Sequence, residues 1–316
     1  MFVACGESLM DVYEEARRPG GVLLDARIGG SPFNVAIGLA RLGQRVGFLG
    51  TLSRGFLGVR LRDALRDEGV DLRYATDVDA PTTLGLVGLD AGGSASYAFY
   101  GQGCADRLLE AGTLPALGDE VRALHFGSFS MVVEPVGSAL RLLVERERAS
   151  RLIAFDPNLR PNVVPDLAVW RSTVSWMAER AHLVKVSAED LSLLHPGEDG
   201  EQAAMRWLAQ GVALVVVTCG RDGARAFARS ASVAVLARPV RVVDTVGAGD
   251  SFQAALLAWL AEHDLLSPAA LRQLAAPALR AALDFAAMAA ALTCTRRGAD
   301  LPRRDELARA LGGNHR

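Results

Sequence analysis

Short apolar runs alternate with longer amphipathic segments along this chain, and this alternation is the feature that most restricts its fold. The β-branched apolar runs lie at 46–49, 123–126, 152–155, 183–186 and 214–217. Helices are predicted at 58–68 and 137–148, after the first two runs. Continuous apolar strands separated by helices are typical of a parallel sheet covered on both faces. Because no linker or repeat interrupts the pattern, the sequence predicts one α/β domain over 1–316.

One region departs from this alternation. Residues 82–90 and 94–100 are predicted to be two strands joined by a Gly-rich turn at 91–93, a hairpin with no helix. With residues 10–22 this hairpin could form a small antiparallel sheet. The alternative is an edge hairpin with no moving part.

The composition argues against several classes of protein. A net charge of -2, with acids and bases mixed along the chain, indicates neither a nucleic-acid partner nor a membrane surface. The first residues lack the basic region of a signal peptide, and the Ala-rich run 286–294 is too short to span a bilayer. The 4 cysteines are far apart and the 5 histidines show no ligand spacing, so we expect a cytoplasmic protein without zinc.

The run 244–250 (D-T-V-G-A-G-D) leads directly into an apolar pattern with helical spacing over 252–260. The preceding residues 241–243 are predicted to end a strand. Small residues at a helix N-terminus let backbone N–H groups surround an oxyanion, and the helix dipole favours negative charge there. Asp250 would repel a phosphate unless it accepts a proton from the hydroxyl that attacks the phosphoryl group. The alternative is a Gly-rich turn in which Asp250 only caps the helix.

The run 244–250, followed by an aromatic residue and an Ala-rich helix, resembles the signature of the ribokinase-like (PfkB-type) carbohydrate kinases. The sequence GGSPFNVA at 29–36 resembles a second signature of that family. DPNLRP at 156–161, KVSAED at 185–190 and TCGRDG at 218–223 follow in the family's order, so the resemblance covers nearly the whole chain. HFGS at 125–128 and DPNLRP look most like bacterial fructokinases and 2-keto-3-deoxygluconate kinases.

The resemblance implies a ribokinase-like fold, in which a mostly parallel sheet flanked by helices carries a small antiparallel β lid. The lid strands would lie within 10–30 and 82–103, cover the sugar and form a homodimer contact. Open α/β sheets bind ligands beyond the carboxyl ends of their strands, where most of the motifs begin.

The resemblance also implies roles for individual residues. Asp250 would be the catalytic base, and the N–H groups of Gly247, Ala248 and Gly249 would hold the transferred phosphoryl group. The sugar would be bound by Asp11, Gly29, Gly30, Asn34, Phe99 and Arg160. ATP would be bound by Lys185, Ser187, Thr218, Gly220, Gly223 and Thr245. For Arg160 a surface ion pair is the alternative, and Asp156 could instead hold the loop that carries Arg160.

Two departures from the family's pattern concern the ligands. Where many relatives have N-x-x-E, this chain has S-A-E-D at 187–190, so Asp190 takes the place of the acid that holds Mg²⁺ through water and Glu189 is its neighbour. The frequent F-Y-R of the lid is F-Y-G-Q at 99–102. That missing arginine is a plausible carboxylate partner in kinases of acidic sugars, so its absence favours a neutral sugar, although Arg160 or Arg54 could compensate.

The sequence therefore predicts an ATP- and Mg²⁺-dependent sugar kinase that phosphorylates a primary hydroxyl. Fructose is the favoured substrate, followed by 2-keto-3-deoxygluconate, ribose and nucleosides. Activation by K⁺ near 244–247 is left open. The alternative from another class is a non-catalytic sugar or nucleotide sensor, against which the intact Asp250 argues.

Overall fold

The structure is a computed structural model that describes residues 1–89 and 95–312. Its strands are β1 Phe2–Cys5, β2 Leu9–Arg18, β3 Gly21–Gly29, β4 Val46–Ser53, β5 Ala75–Val78, β6 Thr83–Leu89, β7 Ala95–Tyr100, β8 Ala123–Gly127, β9 Leu152–Asp156, β10 Leu183–Ser187, β11 Leu214–Thr218, β12 Ala224–Ala228 and β13 Ser232–Val235. Its helices are α1 Ser31–Arg41, α2 Phe56–Asp67, α3 Val136–Glu147, α4 Leu167–Ala178, α5 Ala188–Leu194, α6 Gly200–Gln210, α7 Ala248–Glu262, α8 Pro268–Arg272, α9 Ala276–Cys294 and α10 Arg304–Gly312.

A large sheet forms the centre of the protein, with the strand order β13-β12-β11-β10-β9-β8-β1-β4-β5. The strands from β11 to β5 pair in parallel, whereas β12 and β13 add an antiparallel hairpin at one edge. Neighbouring residues of one strand contribute to opposite cores: Ile153 packs with α3, α4 and α6, and Ala154 packs with α1, α7 and α9. The predicted mostly parallel sheet with helices on both faces is therefore confirmed.

A separate small sheet has the order β3-β2-β6-β7. Its two hairpins, β2–β3 and β6–β7, are antiparallel as expected, but the central pair β2–β6 is parallel, with Leu9 opposite Thr83. Both central strands leave the large sheet in the same direction, because β2 follows β1 and β6 follows β5, which are themselves parallel to β4. The predicted turn at 91–93 lies outside the described residues.

The prediction that 241–243 ends a strand is wrong. The last strand before α7 is β13, which ends at Val235, and 241–243 has no strand assignment. Val242 and Val243 are 59% exposed, so their β-branched side chains pack against no sheet. β-propensity describes fit to a half-buried pleated surface and produces no strand where such a surface is missing.

Among the described residues, α9 is long and apolar enough to cross a membrane by length and composition alone. More than half of its most apolar stretch is buried inside the protein. Leu279, Leu283 and Ala286 are fully buried in the core cluster that also contains the apolar face of α7. This packing agrees with the expected buried helix.

Candidate active site

The turn before α7 requires a glycine at its first position. Gly247 is the N-cap, with φ 78°, and a Cβ there would lie 2.7 Å from the Cα of Ala299. The Ala248 N–H already donates to the Thr245 carbonyl at 3.2 Å. Gly249 and Asp250 belong to the first helical turn, whose N–H groups have no intrahelical acceptor. The open donors and the positive end of the helix dipole make this turn suitable for a phosphoryl oxygen.

Asp250 is buried, and its carboxylate is held by two neutral donors. The Ser31 hydroxyl donates to Oδ1 at 2.7 Å, and the Asn34 amide donates to Oδ2 at 2.8 Å. Both donors lie on the first turn of α1, which packs against α7. Burial raises the pKa of Asp250, whereas the bonds from Asn34 and Ser31 lower it. A carboxylate held without a cation at bonding distance keeps its capacity to accept a proton.

Lys185 lies beneath the same turn. Its ammonium is 2.6 Å from the Asp156 carboxylate and donates to the Gly249 carbonyl at 3.2 Å, and both members of this ion pair are buried. The pair forms because Asp156 ends β9 and Lys185 lies in the middle of the adjacent parallel strand β10, next to it in the register of the sheet. Lys185, predicted as an ATP ligand, thus braces the turn from the protein side.

The predicted sugar-binding residues of the small sheet lie beside α1. Asp11 on β2 lies against Gly29: a Cβ at Gly29 would be 2.3 Å from the Asp11 Oδ2. Gly85 on β6 lies between Asp11 and the ring of Phe99, since its Cβ would be 3.1 Å from each. Burial raises the pKa of Asp11 to about 6 although Arg160 opposes this change. This arrangement places a carboxylate and an aromatic edge on either side of Gly85.

The neighbouring Gly30 precedes α1 with φ 106°, and a Cβ there would lie 2.7 Å from the Glu7 carbonyl. A side chain is therefore excluded at this position, and the backbone of the turn is held against the end of β1.

Arg160 is held locally, with its Nη1 donating to the Asn158 Oδ1 at 2.7 Å and to the Leu159 carbonyl at 2.8 Å. No ion pair to Arg160 exists among the described residues, so the surface ion pair considered from the sequence is not formed. Its positive charge lowers the pKa of both Asp11 and Asp190. Arg160 therefore lies between the expected sugar side and the expected nucleotide side.

The two candidate metal-binding acids differ in position. Asp190 is half-buried, its Oδ1 accepts the Leu159 N–H at 3.3 Å, and burial and Asp156 raise its pKa to about 6. Glu189 is exposed. Of the two, Asp190 is the one whose carboxylate is bonded to the loop that carries Arg160.

Two of the predicted nucleotide residues, Ser187 and Thr218, end β10 and β11. Ser187 caps α5 by accepting the Asp190 N–H at 3.0 Å, and Thr218 lies opposite Ser187 in the register of the sheet. Gly220 and Gly223 both have positive φ, and a Cβ at Gly223 would lie 2.0 Å from the Val235 carbonyl. Thr245 is exposed in the turn before α7.

Sequence reasoning missed the partners of the two buried carboxylates. Ser31 lies inside the 29–36 motif, but its bond to Asp250 joins residues 219 positions apart and depends on how α1 packs against α7. The alternation of side chains along β9 and β10 was the available signal for the Lys185–Asp156 pair.

Comparison with known proteins agrees with this geometry. The sequence model of the pfkB family of carbohydrate kinases matches residues 3–306 of this chain. A fructokinase from Rhizobium leguminosarum bv. trifolii is 38% identical over 280 residues, which cover 89% of this chain and 86% of that protein. The crystal structure of a Xylella fastidiosa fructokinase with bound ATP superposes with a TM-score of 0.89 at 27% identity, covering 100% of this chain and 99% of the other.

A Vibrio cholerae O395 fructokinase with bound fructose, ADP and calcium superposes with a TM-score of 0.83 at 26% identity, covering 98% of both chains. The match of the family extends over almost the full length and includes the turn, the buried carboxylate and the small sheet. The chain therefore belongs to the pfkB family of carbohydrate kinases.

Proposed function

We propose that this protein is an ATP-dependent fructokinase, which transfers the γ-phosphoryl group of ATP to a primary hydroxyl of D-fructose and forms fructose 6-phosphate. The observation that carries the proposal is the Asp250 carboxylate, buried beside open N–H groups and held, among the described residues, by the neutral donors of Ser31 and Asn34. The similarity to fructokinases over nearly the full chain supports fructose as the substrate.

In the proposed reaction the sugar lies between the small sheet and the N-termini of α1 and α7. Asp11 and Asn34 bind hydroxyls of the sugar, and Phe99 packs against its ring. Asp250 accepts the proton of the attacking hydroxyl. The attacking hydroxyl and the leaving ADP lie in line on opposite sides of the transferred phosphoryl group. The Gly249 and Asp250 N–H groups stabilise the negative charge that develops on that group.

The nucleotide side fits ATP with Mg²⁺. No group of three metal-ligating side chains is found among the described residues, but Mg²⁺ in kinases keeps several waters and substrate phosphates and needs few protein ligands. Asp190 would hold it through water, with exposed Glu189 as the second acid. When bound, Mg²⁺ neutralises phosphate charge. Ser187, Thr218, Gly220, Gly223 and Thr245 would surround the nucleotide, and K⁺ near 244–247 is an optional activator.

We extend the proposal to lid, assembly and location. The small sheet would close over the sugar and exclude water, which competes as a nucleophile. Val22, Leu23 and Leu24 on β3 are 41–54% exposed, which supports a homodimer contact through this sheet. We place the protein in the cytoplasm, where its four free cysteines would stay reduced. Light scattering of the protein and of a Leu24→Lys variant would test the dimer.

A coupled assay of ADP release over neutral and acidic sugars tests the substrate. We expect saturable turnover of fructose in the presence of ATP and Mg²⁺. Turnover of 2-keto-3-deoxygluconate, ribose or a nucleoside without turnover of fructose would overturn the assignment. Thermal stabilisation by sugar without any ADP release would favour the sensor instead.

A further inference from the structure

Four buried polar atoms without a described partner lie together where the small sheet meets the large one. They are Glu7 Oε2, Thr82 Oγ1, Asp106 Oδ2 and Arg107 Nε, and we call these four residues the junction cluster. Glu7 and Asp106 are each 1% exposed, and the charge of Asp106 acts on Glu7. The carboxyl group of Glu7 also interacts with the hydroxyls of Ser128 and Ser130, which lower its pKa. Buried polar groups are normally hydrogen-bonded, so a cluster of unsatisfied atoms indicates a polar ligand or ordered water.

The guanidinium of Arg107 occupies space that position 101 leaves free. A Cβ at Gly101 would lie 2.2 Å from Nη2 and 2.7 Å from Cζ of Arg107. No side chain at position 101 is compatible with this placement. The guanidinium also lies over the ring of Phe129, with Cζ 5.5 Å from the ring centroid, which fixes its plane.

The junction cluster is continuous with the sugar side of the candidate active site. The ring of Phe129 meets the ring of Phe99 edge-on, with centroids 6.2 Å apart. On the other flank, the Glu7 Oε1 accepts the Ser31 N–H at 3.2 Å, and the Ser31 hydroxyl is bonded to Asp250. Arg107 is thus joined to the Phe99 wall through Phe129. Toward the Asp250 wall the link is longer and runs through Asp106, whose charge acts on Glu7.

The charges of the cluster select against an anionic ligand. Burial raises the pKa of Asp106 to about 6, opposed by its bond from Thr83 and by Arg107, so Asp106 is mainly ionised at neutral pH. Burial likewise raises the pKa of Glu7 to about 7. The charge of Arg107 acts on Asp106, and that of Asp106 acts on Glu7, so one guanidinium among two acids leaves no excess positive charge for a sugar carboxylate. Donors and acceptors side by side suit hydroxyl groups instead.

We propose that Arg107 is a sugar-binding, specificity-determining residue that, with Asp106, holds hydroxyl groups of a neutral sugar other than the attacking one. Arg107 would thus supply the guanidinium that the F-Y-R of many relatives carries at the position of Gly101. The inference rests on the proposed function and deepens it, since it names the chemical class of the substrate from the binding side.

The first test replaces Arg107 with Met, which keeps an apolar stem on Phe129 and removes the donors. We expect KM for fructose to rise about 10- to 100-fold while kcat changes by less than about threefold, because a ground-state hydrogen bond from a charged donor is lost. Arg73→Met is the matched control, since Arg73 also lies over an aromatic ring, at 5.9 Å from Tyr74, but on the surface. An unchanged KM in a folded Arg107→Met protein overturns the proposal.

The second test moves the arginine. Gly101→Arg combined with Arg107→Met should recover most of the lost affinity, whereas a purely structural role of Arg107 predicts that this double variant is worse than the single one. Calorimetric titration of fructose without ATP measures the same effect separately from turnover. No recovery in the folded double variant overturns the proposal.

The outcome is separable from the identity of the sugar. If the wild-type enzyme phosphorylates ribose instead of fructose, the proposed function fails, but the KM effect of Arg107→Met on ribose still supports this assignment. If the preferred substrate carries a carboxylate whose KM depends on Arg107, the neutral-hydroxyl assignment fails while the kinase activity stands.

Discussion

The two sides of the α7 N-terminus hold buried carboxylates in opposite ways. On the nucleotide side, Asp156 is bonded to the ammonium of Lys185 at 2.6 Å. On the sugar side, Asp250 is held by a hydroxyl and an amide, with no cation at bonding distance. Both carboxylates are buried, at 2% and 7% exposure, so burial alone does not distinguish their roles.

The difference lies in the partner. Asp156 is fixed by a charged partner, whereas Asp250 has only neutral donors at bonding distance and burial raises its pKa. Asp156 with Lys185 therefore gives the turn a fixed shape, and Asp250 gives it a titratable group. A catalytic base and its scaffold can thus lie on the same helix end without competing for the same proton.

The largest expected effect is on catalysis by Asp250→Asn. Because the amide cannot accept the proton, kcat should fall by about 10²–10⁴ with ATP binding retained. Steady-state assays and nucleotide titration measure the two quantities. Native turnover in this variant would contradict the assignment of the base.

Lys185→Met should mainly affect folding. Removing one partner of a buried ion pair leaves an uncompensated charge, which typically destabilises a protein by about 3–5 kcal/mol. Chemical denaturation should show most of this loss restored in the double variant Lys185→Met with Asp156→Asn, which leaves no charge to bury. If the single variant is as stable as wild type, the Asp156–Lys185 pair is not the scaffold that we describe.

Part of the candidate site could be predicted from the sequence, and part could not. The turn at 244–250 and the helix after it follow from local patterns, which is why Gly247 and Asp250 could be named. The parallel β2–β6 pairing, the Ser31 bond and the space at Gly101 filled by Arg107 depend on contacts between distant segments. Periodicity indicates which face of an element is buried but does not specify which residue of another element lies opposite.

A third prediction compares the stability of the same two acids. Burial raises the folded pKa of Asp250 above its unfolded value near 3.8, so its contribution to stability is present at low pH and is lost as pH rises through the folded pKa. Relative to wild type, Asp250→Asn should therefore be more stabilising at pH 8 than at pH 5. Asp156→Asn should destabilise at pH 8, because it leaves Lys185 unpaired. Thermal unfolding of wild type and both variants at pH 5 and pH 8 measures these changes in stability. If both variants changed stability in the same direction at pH 8, the two carboxylates would not differ as we describe.

The smallest effect, and the most specific, is expected from Ser31→Ala. The Ser31 hydroxyl stabilises the ionised form of Asp250, as Asn34 and the charge of Lys185 also do, whereas Asp156 opposes it. Without that hydrogen bond the pKa of Asp250 rises further, and the acid limb of kcat/KM should move to higher pH by about half to one unit.

The matched control for this variant is Ser251→Ala. Its hydroxyl is buried next to Asp250 in the chain and has no hydrogen-bond partner among the described residues. Its loss should leave the acid limb in place, and a limb that moves in Ser251→Ala but not in Ser31→Ala would mean that packing around α7, and not the Ser31 bond, sets the pKa of the base.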